Sequence, residues 1–508
     1  MAEPSPEAKL SPRQRTMAGL VLAVSNFMVV LDLSIANVSI PHIAGNLGIS
    51  PDQGTWVITS YAVAEAICLP LTGWLALRFG VVRTFILGMI GFGIFSLLCG
   101  LSFSLGMLVV CRVGQGICGA PLMPMSQTLL LRVFPPEARG RAMALWAMTT
   151  LLAPALGPIV GGYISDNWSW HWIFFINLPV AILCIVAALA LLGPLETPKQ
   201  KNPIDLVGLG LLICWIGCLQ IVLDIGRDRD WFADPLIMGL SLCAGVVFLA
   251  FLIWELTDDH PIVDLRVFRH RGFTMGVITL ALCFGSYFAG IVIIPQWLQL
   301  SMGYTAFTAG LVTAFTAMTA IPAAPIAGRL INRVDPRWMI SLGAIWMAVM
   351  SLLRARWTTT SDFWTLAIPQ ALQGLAMPFF FISVTAITLG AVQPRETASG
   401  AGLQNFTRTM AIAISTSIVL TIWVNAQRVF QSELASTLQP DATQAQLSTM
   451  GFSTEQGRQI IGNLVDQQAS VLALNHAFLI TAAVLFLASF ATWLIPRPRG
   501  IVQAAAGH

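Results

Sequence analysis

The chain has 508 residues, of which 56% are hydrophobic and only 10% charged, with a formal net charge of +3. A typical soluble domain carries about 25% charged residues, so a soluble enzyme, a disordered scaffold and a nucleic-acid binder are excluded. The apolar residues come in runs of roughly 20 rather than in the ~10-residue alternating segments of a barrel, which predicts a helical polytopic membrane protein.

Fourteen spans are expected, near 17–40, 54–77, 84–103, 106–131, 141–165, 171–193, 205–223, 236–256, 273–299, 305–330, 337–355, 364–391, 399–424 and 471–495. Residues 1–16 carry no cleavage pattern and read as a retained tail; 496–508 form a second tail. Of the 27 Lys and Arg residues, 19 fall on the side of the termini and 6 on the opposite side. The remaining two, Arg112 and Arg408, lie inside spans. This bias predicts cytoplasmic termini. One outer loop, 425–470, is long and rich in Gln, Ser and Thr, and is expected to form short helices outside the bilayer. It reads either as a solvated loop or as a docking surface, with Ile460, Ile461, Leu464 and Val465 as an apolar edge.

The nine Cys all fall inside apolar runs, so no disulfide framework is expected. Cys214 and Cys218 are one helical turn apart, but with no His or acid beside them packing is the expected role and no metal site is predicted. The chain has three Lys, Lys9, Lys199 and Lys201, and none follows Gly. A phosphate-cradling G-x-x-x-x-G-K-S/T loop is therefore absent, as is the H-E-x-x-H zinc pattern. No enzyme activity and no cofactor are expected, and the energy source is sought in an ion gradient.

The sequence contains an internal repeat. Loops GWLALRFGVVR (73–83) and GRLINRVDPR (328–337) each precede a span with a Gln-Gly pair, Gln115-Gly116 and Gln373-Gly374. PPEARGRAMAL (135–145) and QPRETASGAGL (393–403) follow in the same order, and the paired motifs lie 255 to 258 residues apart. Duplicated halves are the mark of many secondary transporters. The expected domains are a six-helix bundle over 17–193, two inserted helices with flanking loops over 194–260, and a second six-helix bundle over 261–495.

Several segments together resemble the major facilitator superfamily, in its 14-span drug:proton antiporter group of the EmrB and QacA type. They are LDLSIANVSIP (31–41), the loop from Gly73 through Arg78 and Gly80 to Arg83, RVGQG (112–116), PALGPIVGG (154–162), WHWIFFINLP (170–179) and LTDDHPIVDL (256–265). The resemblance covers the whole chain. It implies an all-α major facilitator fold and proton-driven export of hydrophobic or amphipathic toxic compounds by alternating access. It also implies a bacterial inner membrane, a periplasmic adaptor of EmrA type and an outer-membrane channel of TolC type. Leu77 departs from the pattern, which has Asp in the first inner loop, and this puts the gate salt bridge made by that Asp in doubt.

Four ionisable residues lie deep in spans: Asp32, Glu65, Arg112 and Arg408. Each costs at least ~2.5 kcal/mol at mid-bilayer on the insertion scale, so each is expected to face protein or water. Asp32, Glu65 and Arg112 fall at similar depths, on helix faces that also carry polar and small residues, which fits one shared cavity. A buried carboxyl can take up a proton, and an Arg, always charged, can only bias it. Asp32 and Glu65 are thus candidate proton carriers with Arg112 as partner; static ion pairing is the alternative. Counted this way, two acids balance two bases, leaving the preferred substrate charge undecided. Arg408 has no acid in its own half and is expected to meet substrate, the gate or a structural cap.

Span 5 carries Pro154 and Pro158 one turn apart, with Gly157, Gly161 and Gly162. Pro bends a helix and Gly admits a close neighbour; the resemblance implies that the halves pack and rock here. With 28 Phe, 19 Met and 16 Trp, adaptable walls for varied hydrophobic substrates are expected. Candidate wall and gate residues are Asn37, Tyr61, Gln115, Trp146, Tyr287, Gln296, Trp297, Asn405, Phe406 and Arg408. A single-substrate exporter or importer, and a non-pumping channel or sensor, remain as alternatives.

Overall fold

The computed structural model describes residues 10–200, 203–259, 261–331, 333–437 and 453–497. Most of both expected tails, and 438–452 of the expected outer loop, lie outside the described residues. Among the described residues twelve helices are long and apolar enough to cross a membrane, or up to fourteen if each of two bent pairs is one span. Among the described residues there is no strand.

The first six spans are α1 (Pro12–Val38), the broken α2 (Trp56–Cys68 and Thr72–Phe79), α3 (Val81–Gly100), α4 (Leu105–Gly119 and Leu122–Val133), α5 (Pro136–Asn167) and α6 (Asn177–Leu191). Two more follow, α7 (Leu206–Ile225) and α8 (Pro235–Thr257). The last six are α9 (Arg271–Leu300), α10 (Ala306–Leu330), α11 (Pro336–Arg354), α12 (Phe363–Gly390), α13 (Thr397–Thr437) and α14 (Thr454–Thr492). Local sequence sets the helix starts: Ser11, Ser104, Asp205, Thr305, Asp335, Asp362 and Ser453 each accept a bond from a backbone N–H of the first turn.

Within the first half, α1 packs on α4, α5 and α6, and α4 on α2 and α3; in the second, α9 packs on α12, α13 and α14, and α11 on α12 and α14. The halves meet through α5 with α10 and α12, and through α13 with α2 and α4. The α2–α13 and α5–α10 pairs are related to each other by the internal repeat. The inserted helices α7 and α8 pack on each other, and α7 lies against both α2 and α13. Trp215 of α7 meets Phe406 at 6.0 Å, and Ser417 of α13 donates to the Leu223 carbonyl at 2.9 Å.

The expected long loop 425–470 is corrected. Its described parts are not separate short helices; they continue α13 and α14. With 41 and 39 residues, these helices are ~60 Å long, about twice the ~30 Å hydrocarbon core. Gln431 on one extension bonds Asp466 on the other at 2.9 Å. The polar composition suggested a loop because a helix outside lipid needs no apolar face toward the bilayer.

Candidate functional site: a buried ion pair near the interface of the halves

Asp32 on α1 and Arg112 on α4 form an ion pair at 2.6 Å, with 2% and 0% of each residue exposed. The guanidinium is held from several sides. Its Nε donates to the Val57 carbonyl at 2.9 Å, its Nη1 also reaches Gln115 Oε1 at 2.8 Å, and it lies 4.3 Å from the Tyr61 ring centre. The second oxygen of Asp32 accepts from Gln115 Nε2 at 3.0 Å and from Asn177 Nδ2 at 2.7 Å. Asn177 in turn donates to Ser96 Oγ at 3.0 Å. A buried ion pair costs desolvation unless such bonds satisfy its remaining atoms. Here Asp32 is nearly saturated while Arg112 Nη2 and the Tyr61 hydroxyl stay unpartnered.

Helix geometry explains the meeting. Arg112, Gln115, Gly116 and Gly119 share one face of α4. A Cβ at Gly116 would come within 2.6 Å of the Tyr61 carbonyl, so the missing side chain lets α2 and α4 approach.

Of the three residues expected to share one cavity, Asp32 and Arg112 meet directly, and Glu65 stands within charge–charge reach of both. Glu65 is buried but bonds to neither partner; the charges that act on its carboxylate are Arg408, Arg112 and Asp32. Arg408 crosses from α13: its Nη2 reaches the Met123 sulfur of α4, and it lies 5.8 Å from the Phe284 ring centre. Next to it Asn405 donates to Gln127 Oε1 at 2.6 Å, again between halves. Thus Glu65 and Arg408 mark the interface and Asp32–Arg112 a site inside the first half.

The expected wall residues scatter. Trp146 is fully buried, stacks on Phe381 across the halves at 5.8 Å and donates to Ser126 at 2.8 Å. Trp297 stacks on Trp357 at 5.9 Å in an apolar core, and Phe406 packs toward the inserted α7. Gln115 positions Asp32 rather than lining a wall, Tyr287 is buried beside Phe288, Gln296 is half-buried, and Asn37 is exposed. A cavity of about 540 Å³ lies by Asn46, Leu47, Gly100 and His171, and none of the expected wall residues lines it.

Gly73 and Gly328 of the loop motif sit where the two halves touch. A Cβ at Gly73 would collide with Ser399 of α13, and one at Gly328 would come within 2.7 Å of Ala144 and 2.8 Å of the Gly140 carbonyl. Gly80 has φ of 91°, and any side chain there would strike Glu196. Glu196 accepts from the backbone of Val82 at 3.1 Å and of Arg83 at 3.0 Å, so it caps α3. Leu77 contributes only its carbonyl, bonded by Gln200 N at 2.8 Å. Arg78 is half-buried and Arg83 exposed. In α5, the Gly157 and Gly161 faces meet Ser34 and Ile35 of α1, so they tighten the first half rather than join the two, while Gly162 faces open space. Ser34 donates to the Pro154 carbonyl at 3.2 Å, and α5 bends by 44° across the segment that holds Pro158.

Two functional-site features escaped the sequence reading. Asn177 lies in the WHWIFFINLP segment, where a lone amide in an apolar run is the available signal. Arg354, expected in an outer loop, is 3% exposed at the end of α11 and donates to Gln370 Oε1 at 2.7 Å. Among the described residues four Arg (Arg112, Arg337, Arg354 and Arg408) and four acids (Asp32, Glu65, Glu255 and Glu396) are buried, so Arg354 does not by itself decide the preferred substrate charge.

Residues 22–416 match the family model "Major Facilitator Superfamily". The chain is 43% identical over 504 residues to Multidrug export protein EmrB of Escherichia coli (strain K12), covering 98% of each. It is 40% identical to Fatty acid resistance protein FarB of Neisseria gonorrhoeae, covering 94% of this chain and 96% of that one. Among solved structures, the proton:xylose symporter XylE matches with a TM-score of 0.60 at 13% identity, covering 96% of this chain and 97% of that one. Fold, repeat and buried charge define a multi-pass membrane protein of the secondary-transporter class. The chain belongs to the major facilitator superfamily and, within it, to the family of EmrB-type multidrug export proteins.

Proposed function

We propose that the protein exports hydrophobic or amphipathic toxic compounds across the bacterial inner membrane in exchange for protons, without a cofactor, by alternating access. The observation that carries this reading is the buried Asp32–Arg112 pair, with Glu65 and Arg408 at the adjacent interface between halves. The Arg-rich loops orient both termini toward the cytoplasm. The contacts at Gly73 and Gly328 then close the inner end, while Asn405–Gln127 holds the halves together deeper in the molecule.

A proton reaching Asp32 removes one charge of the pair and leaves Arg112 in need of a partner. Loss of that proton restores the 2.6 Å contact. Glu65 does the same toward Arg408, whose helix belongs to the other half. Protonation on one side and release on the other thereby bias the α2–α13 and α4–α13 contacts. A periplasmic adaptor and an outer-membrane channel complete the route in this proposal.

The test is transport by purified protein in sealed vesicles. An imposed proton gradient should drive a hydrophobic dye up its own gradient, in the direction opposite to proton flow. Passive equilibration would identify a channel, and accumulation in the direction of proton flow a symporter; either outcome overturns the proposal. A growth-protection panel of diverse toxic compounds in a pump-deleted host then defines the range of substrates.

A further inference from the structure

The inserted helices bring together three thiols that the transport reading does not use. Cys214 and Cys218 lie one turn apart on α7, and Cys243 of α8 joins them. Their Sγ atoms all lie within 4.8 Å of one another, and those of Cys218 and Cys243 are 3.9 Å apart. All three are free thiols. Among the described residues this is the only group of three or more His, Cys, Asp or Glu side chains whose ligand atoms converge in this way. The third ligand was invisible in sequence because the crossing of α7 and α8 supplies it.

The donor set is sulfur alone, which selects thiophilic ions over oxygen-loving Mg²⁺ or Ca²⁺. The position then selects charge. At 1.5 Å per residue, Cys214 and Cys218 stand ~12 and ~18 Å along α7, and Cys243 ~12 Å along the antiparallel α8, so the cluster lies near mid-bilayer. A net charge there costs at least ~2.5 kcal/mol. Three thiolates leave a dianion around Cu(I) and a monoanion around Zn(II) or Hg(II). Around arsenic(III) or antimony(III) the complex is neutral.

We propose that Cys214, Cys218 and Cys243 form a three-coordinate site for a trivalent thiophilic metalloid that ties α7 to α8. Arsenous acid, As(OH)₃, loses its three hydroxides as As–O bonds break. Three As–S bonds form, and each hydroxide leaves as water with one thiol proton. Arsenic stays trivalent, so no oxidant or reductant takes part. Arsenous acid is neutral, and the exposed Cys214 gives it a lateral approach past the half-buried Cys218 and Cys243.

The experiment uses the full-length protein, purified reduced in detergent and titrated with arsenite. The expected result is saturable binding with three sulfur neighbours by X-ray absorption. Arsenite should shield these three cysteines from maleimide and leave the labelling of the others unchanged. Single substitutions Cys218→Ser and Cys243→Ser should weaken binding at least about 100-fold, more than loss of an outer-sphere partner does, while Cys283→Ser leaves it unchanged. Two-sulfur coordination, absence of saturable binding, or protection of other cysteines would overturn the site. The coordination and protection measurements use wild-type protein and hold even if a variant misfolds. Neither measurement depends on transport, so failure here is separable from failure of the export reading.

Discussion

Asn177 of α6 donates its side-chain amide to Asp32 Oδ1 at 2.7 Å, on the oxygen that does not face Arg112. The amide therefore fixes how the carboxylate meets the guanidinium, and links α6 to the α1–α4 pair. Asn177→Ala should lower dye/proton exchange in vesicles and cost about 1–3 kcal/mol of stability, since it leaves a buried acceptor less satisfied. Asn177→Asp places a second acid beside Asp32 and should be worse. If Asn177→Ala transports at the wild-type rate, the amide is packing alone.

Asp32→Asn should abolish proton-driven efflux while the protein still inserts. It also leaves the fully buried Arg112 without its counter-charge, at a cost of about 3–5 kcal/mol. The double variant Asp32→Asn/Arg112→Gln should recover most of that thermal stability and none of the transport. The cycle separates pairing from coupling. Normal drug/proton exchange in purified Asp32→Asn would remove Asp32 from the proposed mechanism.

Much of this site was legible in sequence, for a definite reason. A charge in an apolar run stands out, so Asp32, Glu65, Arg112 and Arg408 were found, and the repeat gave the order of the spans. What depends on helix rotation was not legible. Trp297 and Phe406, expected on a substrate wall, turn toward an apolar core and the inserted α7. Arg354 sits two residues from the more exposed Arg356, and that pair of charges read as a loop although α11 buries the first of them.

The contact of Gly73 with Ser399 predicts a conformational bias. Gly73→Val would push α2 from α13 at the closed end. Cysteine probes placed in the Arg-rich loops should label faster, and transport should fall. Because the Ser399 Cα also approaches a Cβ at 73 within 2.8 Å, Ser399→Gly should relieve only part of the defect. Unchanged labelling in Gly73→Val would show that this contact does not hold the inner end shut.

Asp335 caps α11 through Arg337 N at 3.0 Å and pairs with the Arg337 guanidinium at 2.9 Å. Burial pushes its carboxyl up, but the Arg337 bonds and charge outweigh this and hold it below its ordinary value of 3.8. A depressed folded value means that the stabilisation is present above that ordinary value and is lost as pH falls through the lower one. Asp335→Ala should cost about 0.5–2 kcal/mol at neutral pH, as lost caps do. The gap from wild type should shrink only in strong acid, and melting curves across pH give the check.

The extensions of α13 and α14 carry the last prediction. Gln431–Asp466 clamps them beyond the expected outer surface, and Leu464 and Val429 are 55% and 56% exposed there. A helical projection with exposed apolar residues suits a partner outside the membrane better than a drug inside it. On the proposed adaptor reading, both helices can be shortened in register, removing residues about 430–465 and rejoining the ends with a short flexible linker. Transport in vesicles should then stay intact, because the ion pair and the interface of the halves lie on other segments. Whole-cell resistance should be lost together with co-purification of the adaptor. Replacing Val429 and Leu464 by Gln should give the same split in milder form, since it removes about 1.5–3 kcal/mol of apolar burial per side chain if both are covered by the partner. Failure of vesicle transport would assign the extensions to the transport fold. Survival of resistance would place docking elsewhere on the outer face.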